Sequence, residues 1–339
     1  MANSLMLLDK WYFFGIVETL EEHGMAQTRT EALHRDAEGL DTRSPREILS
    51  SLAEAQIEAA QAVRAAIASI AEAAAVIAEK LGAGGRLVYA AAGSSGLMAL
   101  ADALELPGTF GIARERIIIL IAGGEQALRD LAGAPEDDAA GAAAAVEEFG
   151  IGPGDCLISL SASGSTPYAL GALEAAGRLG AATVAIANNR GAPLLEKADI
   201  AILLETPPEV IAGSTRMGAG TAQKIALNML STLAAVHLGH VHDGYMVNLF
   251  ADNAKLRGRA ARIVAAVSGC GVEDAARLLD RSGGGVKAAI LLAAGATDAG
   301  FAQDILERTG QKLRPALSEV RGEREAASLR SRQNHTPHG

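Results

Sequence analysis

Short apolar runs alternate with alanine-rich stretches through the middle of this chain, and this alternation limits its fold most. Most of the runs are rich in β-branched residues, and each ends near Gly, Ser, Asn or an acidic residue. Runs that are apolar at nearly every position are typical of parallel strands covered on both faces by helices. The runs lie at 86–90, 117–121, 156–160, 183–187 and 200–204. The alternation therefore predicts an α/β fold with a doubly wound, five-stranded parallel sheet.

Helical patterns flank the predicted sheet. Residues 45–81 repeat apolar side chains at helical spacing, with Ser44 as a candidate N-cap and Pro45 in the first turn. After residue 211 the pattern is helical again, in pieces separated by Gly-containing turns. We therefore expect an N-terminal helical segment (25–75), a sheet domain (76–240), a small C-terminal helical module (241–305) and a polar tail (306–339).

The first 24 residues differ from the rest, because they hold four of the chain's 11 aromatic residues. Two interpretations stay open for this stretch. It is either a short added helix that packs on a neighbour, or sequence upstream of a natural start at Met25.

Charge and cysteine content exclude several classes of protein. The formal net charge of −10 makes the chain a poor nonspecific partner for nucleic acid or for anionic lipid. Cys156 and Cys270 are its only cysteines, too few for a disulfide framework or a Cys-based zinc site. We find no convincing signal peptide and no apolar run of membrane-spanning length. The expected location is the cytoplasm, with no membrane partner.

Two predicted strand-to-helix loops are rich in glycine and hydroxyl side chains. Backbone N–H groups at a helix start are unpaired and carry partial positive charge, so such loops suit a phosphate monoester. Ordinary helix capping is the alternative interpretation, and two such loops at one edge of a sheet favour phosphate. The residues are Gly93, Ser94, Ser95 and Gly96 in the first loop, and Ser161, Ser163, Gly164, Ser165 and Thr166 in the second.

A third loop precedes the helical region that follows the sheet. Its Ser214, Thr215 and Arg216, together with Lys224 on the next helix, are further candidates for binding an anion. A capped helix with two solvated cations is the alternative. His237, His240 and His242 follow, and a structural or exposed role is favoured over metal binding for them.

Two glutamates lie near the predicted ligand edge of the sheet. Glu105 ends the helix after the first loop, and Glu136 lies in Pro-Glu-Asp-Asp beyond the second strand. Two carboxyl groups at such an edge can share acid and base chemistry, although each alone is more often a surface residue.

The chain resembles the N-acetylmuramic acid 6-phosphate etherases, which have the sugar isomerase (SIS) fold. The resemblance runs from Thr30-Glu31 to about residue 305 and includes both serine loops. Its most specific segment is Gly-Ser-Thr-Arg at 213–216, followed by Gly-Thr-Ala-Gln-Lys at 220–224 and Leu-Asn-Met-Leu-Ser-Thr at 227–232. Residues 265–305 are similar to the family's C-terminal helical module, which resembles a ubiquitin-associated (UBA) fold.

The resemblance implies cleavage of the D-lactyl ether at C3 of N-acetylmuramic acid 6-phosphate, giving N-acetylglucosamine 6-phosphate and D-lactate. Glu105 falls on the family's proton donor to lactate. Glu136 falls on its second catalytic glutamate, which we interpret as the base at C2. The family uses no metal or redox cofactor, and its fold usually forms a homodimer with the site at the subunit interface.

At three positions the chain lacks a positively charged side chain that the family usually has. Leu97 and Ser165 stand where the family usually has Arg, and Gly218 stands where it usually has Lys. Because a lost guanidinium is not a conservative change, a changed sugar-phosphate substrate stays open. So do a non-catalytic sugar-phosphate sensor and an aldose–ketose isomerase, which shares the enolisation step.

Overall fold

The computed structural model describes residues 28–249, 251 and 253–322, and every structural statement below refers to these residues. The expected N-terminal extension, 1–24, lies outside them. The described chain opens with an irregular segment that ends in a 3-10 turn, Leu40–Thr42.

The first long helical stretch consists of α1 (Pro45–Ala62) and α2 (Ile67–Gly82), joined by a 3-10 turn. Ser44 is the N-cap of α1, as the sequence predicts. The backbone N–H of Ser44 donates to the Glu47 carboxylate at 2.9 Å, and the backbone N–H of Glu47 donates to Ser44 Oγ, which completes a capping box.

The predicted parallel sheet is confirmed. Its five strands follow the order β2-β1-β3-β4-β5, and every neighbouring pair is parallel. The strands are β1 (Leu87–Ala91), β2 (Ile117–Ile121), β3 (Cys156–Ser161), β4 (Ala182–Ala187) and β5 (Ile200–Leu203).

Helices cover both faces of the sheet. In chain order they are α3 (Gly93–Phe110), α4 (Ala139–Glu148), α5 (Pro167–Arg178), α6 (Pro193–Lys197) and α7 (Gly218–His237). Apolar side chains of α2, α3 and α7 share one core with Tyr89, whereas those of α4 and α5 share another with Val88. Consecutive residues of β1 therefore enter different cores, as a doubly covered strand requires.

The stretch Pro45–Gly82 is long and apolar enough, by length and composition, to cross a membrane. In this fold its second half is a core helix. Ile70, Ala73 and Ile77 of α2 are buried against the sheet and α7. An apolar helix of a sheet core meets the same length and composition criteria.

A helical module follows the sheet domain, after a hairpin formed by β6 (Val241–His242) and β7 (Tyr245–Met246). Its helices are α8 (Ala254–Ser268), α9 (Val272–Arg281), α10 (Val286–Ala294), α11 (Ala299–Arg308) and α12 (313–322). Leu313, Ala316 and Val320 are buried in the module's core, so helical packing continues beyond the expected boundary at residue 305. The rest of the expected polar tail, 323–339, lies outside the described residues.

Candidate functional site

Two loops meet at the carboxyl edge of the sheet, where a doubly wound fold binds its ligands. β1 and β3 are hydrogen-bonded neighbours with Ala91 in register with Leu160, so the loops that follow them lie side by side. Between them is a cavity of about 350 Å³, which we call the serine cavity. It is lined by Thr30, Glu31, Ala92, Gly93, Ser94, Ser95, Leu131, Glu136, Ser161, Ala162, Ser163, Thr166, Gly213 and Thr215.

The loop after β3 is held in shape by its own hydroxyl groups. Ser161 Oγ accepts from the backbone N–H of Gly164 at 3.0 Å and is 2.7 Å from Thr166 Oγ1 and 3.1 Å from Ser163 Oγ. Ser165 donates its backbone N–H and its hydroxyl to Ser163 Oγ. These internal hydrogen bonds fix the shape of the loop, which reduces the entropic cost of binding a ligand.

The loop after β1 opens directly into α3. Gly93 is the first residue of this helix, and the preceding residue, Ala92, provides no side-chain cap. No acidic residue lies in the first turn, which instead carries Ser94 and Ser95. The positive end of the α3 dipole and its uncapped amides therefore face the serine cavity, an arrangement that favours an anion.

Glu136 is brought to the same cavity by a 3-10 turn, Ala134–Asp137. A β-carbon placed on Gly93 would lie 2.7 Å from Glu136 Oε1, so the carboxylate packs directly against the backbone of Gly93. Burial, followed by the negative charge of Asp137, raises the pKa of Glu136. A carboxylate with a raised pKa is a stronger base once it has lost its proton.

Glu105 lies in a different place. It is on α3, twelve residues after Gly93, which is roughly 18 Å along the helix axis at 1.5 Å per residue. It lines a second cavity of about 260 Å³, together with Thr109, Asn228 and Ser231. The two glutamates predicted as catalytic are therefore not brought together within one chain.

Asp102 lies one turn before Glu105 and lines the same second cavity. Its carboxylate is buried and accepts hydrogen bonds from Tyr89 Oη at 2.8 Å and from Ser231 Oγ at 3.0 Å. Burial raises the pKa of Asp102, an effect that its hydrogen-bond donors and Lys224 oppose. Lys224 Nζ is 4.0 Å from Asp102 Oδ1, is itself buried and has no hydrogen-bond partner among the described residues. Lys224, predicted to bind an anion, thus lies beside Asp102 and does not line the serine cavity.

The third predicted loop contributes less than its sequence suggested. Thr215 lines the serine cavity, but Ser214 and Arg216 do not. The N-terminus of α7 is occupied by the buried carboxylate of Glu209, which accepts from the backbone N–H of Gly218 at 2.9 Å and of Ala219 at 2.8 Å. These two amides are therefore already satisfied within the chain.

Two family models match the chain. They are the glucokinase regulatory protein N-terminal SIS domain over residues 69–177 and the SIS domain over residues 141–238. N-acetylmuramic acid 6-phosphate etherase of Deinococcus radiodurans is 45% identical over 291 residues, which cover 86% of this chain and 95% of that protein.

The chain belongs to the N-acetylmuramic acid 6-phosphate etherase family. The etherase of Symbiobacterium thermophilum is 44% identical over 263 residues, covering 77% of this chain and 87% of that one. Among solved structures, a phosphoheptose isomerase from Francisella tularensis matches with a TM-score of 0.43 and 23% identity, over 57% of this chain and 98% of that one.

The three positions that depart from the etherase family pattern are separated in the structure. Leu97 is 37% exposed on α3, and the hydroxyl of Ser165 donates a hydrogen bond to Ser163 Oγ within the second loop. Gly218 is buried, and a β-carbon there would lie 3.1 Å from both Ala59 Cβ and Glu209 Oε2. No Lys or Arg lines the serine cavity in the described part of the chain. An anion in this etherase cavity would meet hydroxyl and amide donors only.

Some predicted residues support the etherase loops without lining the cavity. Gly96 packs on the side chain of Ile121, and a β-carbon there would be 3.3 Å from it. Gly164 has φ +72°, and a β-carbon there would be 2.4 Å from Ala192 Cβ. Both glycines therefore allow close packing around the loops.

Thr30 and Glu31 are cavity residues to which the sequence assigned no role. Thr30 is anchored by Asn189, whose Nδ2 donates to Thr30 Oγ1 at 3.0 Å and whose Oδ1 accepts from the Thr30 backbone N–H at 3.3 Å. Their occurrence in the etherase signature was the signal available in the sequence. Leu131 also lines the cavity, and no pattern in the sequence indicated it.

The three histidines do not form a metal site. No group of three His, Cys, Asp or Glu side chains is arranged to hold a metal ion in the described residues. His240 lines a different cavity, at the opposite end of α7, and burial lowers its pKa to about 4.

Proposed function

We propose that this protein cleaves the D-lactyl ether of N-acetylmuramic acid 6-phosphate, giving N-acetylglucosamine 6-phosphate and D-lactate. The observation that carries the proposal is the position of Glu136, seated against Gly93 in a cavity formed by two serine loops. The curated relatives, which are named as etherases and are up to 45% identical, support it.

The phosphate is the group that the two loops would hold. The uncapped N-terminus of α3 and the start of α5 supply backbone amides, while Ser94, Ser95, Ser163 and Thr166 supply hydroxyls. With the phosphate at these loops, the reacting end of the open-chain sugar extends toward Glu136.

The reaction is an elimination followed by hydration. The carboxylate of Glu136 removes the C2 proton of the open-chain aldehyde, which the C1 carbonyl makes acidic. Glu105 protonates the ether oxygen as the C3–O bond breaks and lactate leaves. Water then adds to C3 of the unsaturated aldehyde, so the net change is hydrolysis. These steps need two carboxyl groups and no redox cofactor.

The separation of the two glutamates supports a site shared between two copies of the chain. Glu105 lines a cavity other than the one that holds Glu136. In the arrangement that we propose, a second copy packs against α3 and contributes its Glu105 to the serine cavity of the first. Leu97 and Leu104, both exposed on α3, give that face the apolar surface that an interface between copies needs. We therefore propose a homodimer with composite sites.

The location that we propose is the cytoplasm. A charged sugar phosphate does not cross a lipid bilayer unaided, because transferring its charge into hydrocarbon is costly. The enzyme and its substrate must therefore share a compartment.

Release of D-lactate tests the proposal. Purified protein given N-acetylmuramic acid 6-phosphate should release D-lactate in step with N-acetylglucosamine 6-phosphate. Glu105→Gln and Glu136→Gln should each abolish the release while leaving the thermal midpoint of unfolding close to that of the parent protein. Failure of the parent protein to release lactate would contradict the etherase function.

A changed sugar-phosphate substrate, or a sensor without turnover, is the second candidate. The observation that favours it is the lack of Lys and Arg in the described lining of the serine cavity. Stabilisation by a sugar phosphate without any product, followed by NMR, would support the sensor. A ketose product in place of lactate would indicate an isomerase.

A further inference from the structure

The segment that carries Glu31 is fixed at the mouth of the serine cavity. The backbone N–H of Gly213 donates to the carbonyl oxygen of Thr30 at 3.1 Å, and Asn189 holds Thr30 by its backbone and its hydroxyl. Asn189 in turn donates to the carbonyl oxygen of Ser163 at 3.2 Å, within the second serine loop. The position of Glu31 is therefore coupled to the loop that would bind phosphate.

The carboxylate of Glu31 is seated like that of Glu136. A β-carbon placed on Gly213 would lie 3.1 Å from Glu31 Oε2, as one on Gly93 would lie 2.7 Å from Glu136 Oε1. Both glycines have positive φ, +73° at Gly213 and +53° at Gly93. Two carboxylates thus enter one cavity, each against a left-handed glycine, and only Glu136 has a role in the proposed reaction.

Glu31 is exposed at the cavity and has no partner among the described residues that would fix its carboxylate. The cations beside it are engaged elsewhere, since Arg29 pairs with Glu205 and Arg35 pairs with Glu58. No side chain or backbone group in the described residues donates a hydrogen bond to Glu31 or forms an ion pair with it. A carboxylate that lines a cavity in this way is an acceptor open to a ligand.

We infer that Glu31 accepts hydrogen bonds from the hydroxyl groups of the sugar and fixes the orientation of the substrate. An ionised carboxylate only accepts hydrogen bonds, and sugar hydroxyls are donors of matching kind. The same negative charge repels phosphate, so Glu31 favours the orientation in which phosphate lies at the serine loops and the polyol lies at the two carboxylates. This role is that of a positioning and specificity residue, and it rests on the proposed function.

The test compares ligands that do and do not carry hydroxyl groups. Binding of N-acetylglucosamine 6-phosphate and of inorganic phosphate is measured by calorimetry on full-length Glu31→Gln, alongside the parent protein. Glu38→Gln is the matched control, because it removes one negative charge from the same segment and Glu38 is exposed away from the cavity. Glu31→Asp, which keeps the charge but shortens the side chain, is the second variant.

Glu31→Gln should weaken binding of the sugar phosphate about tenfold or more, because hydrogen bonds to charged groups are the strong ones. Binding of inorganic phosphate should stay equal or tighten. In lactate release, KM should rise more than kcat falls, and Glu31→Asp should fall between parent and Gln. Glu38→Gln should match the parent in every measurement.

Three results would overturn the inference. An equal loss for both ligands would mean that Glu31 only supports the loop. A loss of kcat with unchanged KM would make Glu31 a group of the chemical step. Unchanged sugar-phosphate affinity would remove any role. Since the binding measurement needs no turnover, a parent protein that binds the sugar phosphate but releases no lactate would count against the proposed etherase activity alone.

Discussion

Glu136 Oε1 lies where only a glycine at position 93 leaves room for it, 2.7 Å from the point that a β-carbon of residue 93 would occupy. The same glycine starts α3, whose uncapped amides face the proposed phosphate position. One residue therefore sets both the anion site and the distance from that site to the base.

Gly93→Ala should reduce kcat by about 100-fold, because a displacement of about 1 Å at a reacting group can cost that much. The left-handed φ of +53° adds backbone strain to this contact. Gly124→Ala is the matched control, since Gly124 has φ +58° and open space around its β-carbon position. The kcat for lactate release in both variants separates the effect of the Glu136 contact at residue 93 from the effect of backbone strain at a positive φ. An equal loss of kcat in the two variants would show that the contact with Glu136 is not the cause.

The pH dependence of kcat/KM should report Glu136. A general base acts in its ionised form, and the raised pKa of Glu136 moves the loss of activity on acidification to a pH above the ordinary carboxyl value of about 4.3. Asp137 contributes to this shift by its negative charge. Asp137→Asn should therefore lower the pKa of Glu136 and move the acid limb to lower pH. An acid limb of the kcat/KM profile that stays at the same pH in Asp137→Asn, or moves to higher pH, would exclude Glu136 as the titrating base.

Asp102, which lines the second cavity, should also contribute to the free energy of unfolding. Asp102→Ala removes the carboxylate 4.0 Å from the ammonium of the half-buried Lys224 side chain and leaves two buried hydroxyls, of Tyr89 and Ser231, without their acceptor. We expect a loss of about 3 kcal/mol in the free energy of unfolding, measured by urea denaturation. Glu38→Ala, at an exposed carboxylate, should stay within about 0.5 kcal/mol of the parent protein. A similarly small change for Asp102→Ala would show that the pair contributes little.

The sequence predicted the sheet well because its strands are buried on both faces, so their apolar runs are continuous. The positions of both serine loops were also predicted, because the end of a strand and a cluster of glycine and hydroxyl residues can be recognised from neighbouring residues alone. The alanine-rich stretch between β2 and β3 is not one continuous helix. The structure has 3-10 turns at Gly124–Leu128 and Ala134–Asp137, and only Ala139–Glu148 is α-helical.

Two features of the site depend on long-range packing. Lys224 was grouped with the phosphate loops by its place in a motif, yet α7 carries it past the sheet edge to Asp102. Glu31 received no role, because its place in the cavity depends on Asn189, more than 150 residues away in sequence. Neither relationship has a local signature in the chain.

A site shared between two copies predicts complementation between two inactive variants, which a site formed within one copy does not allow. If each site takes Glu105 from one copy and Glu136 from the other, a heterodimer of Glu105→Gln with Glu136→Gln has one site with both substitutions and one with neither. Co-expression with random pairing should then restore about a quarter of the parental lactate-release rate, from two variants that are each inactive alone. Differently tagged chains, purified in tandem, isolate the heterodimer and should raise recovery to about half. A tandem-purified heterodimer without activity would place Glu105 and Glu136 of one chain in the same site, which the two separate cavities argue against.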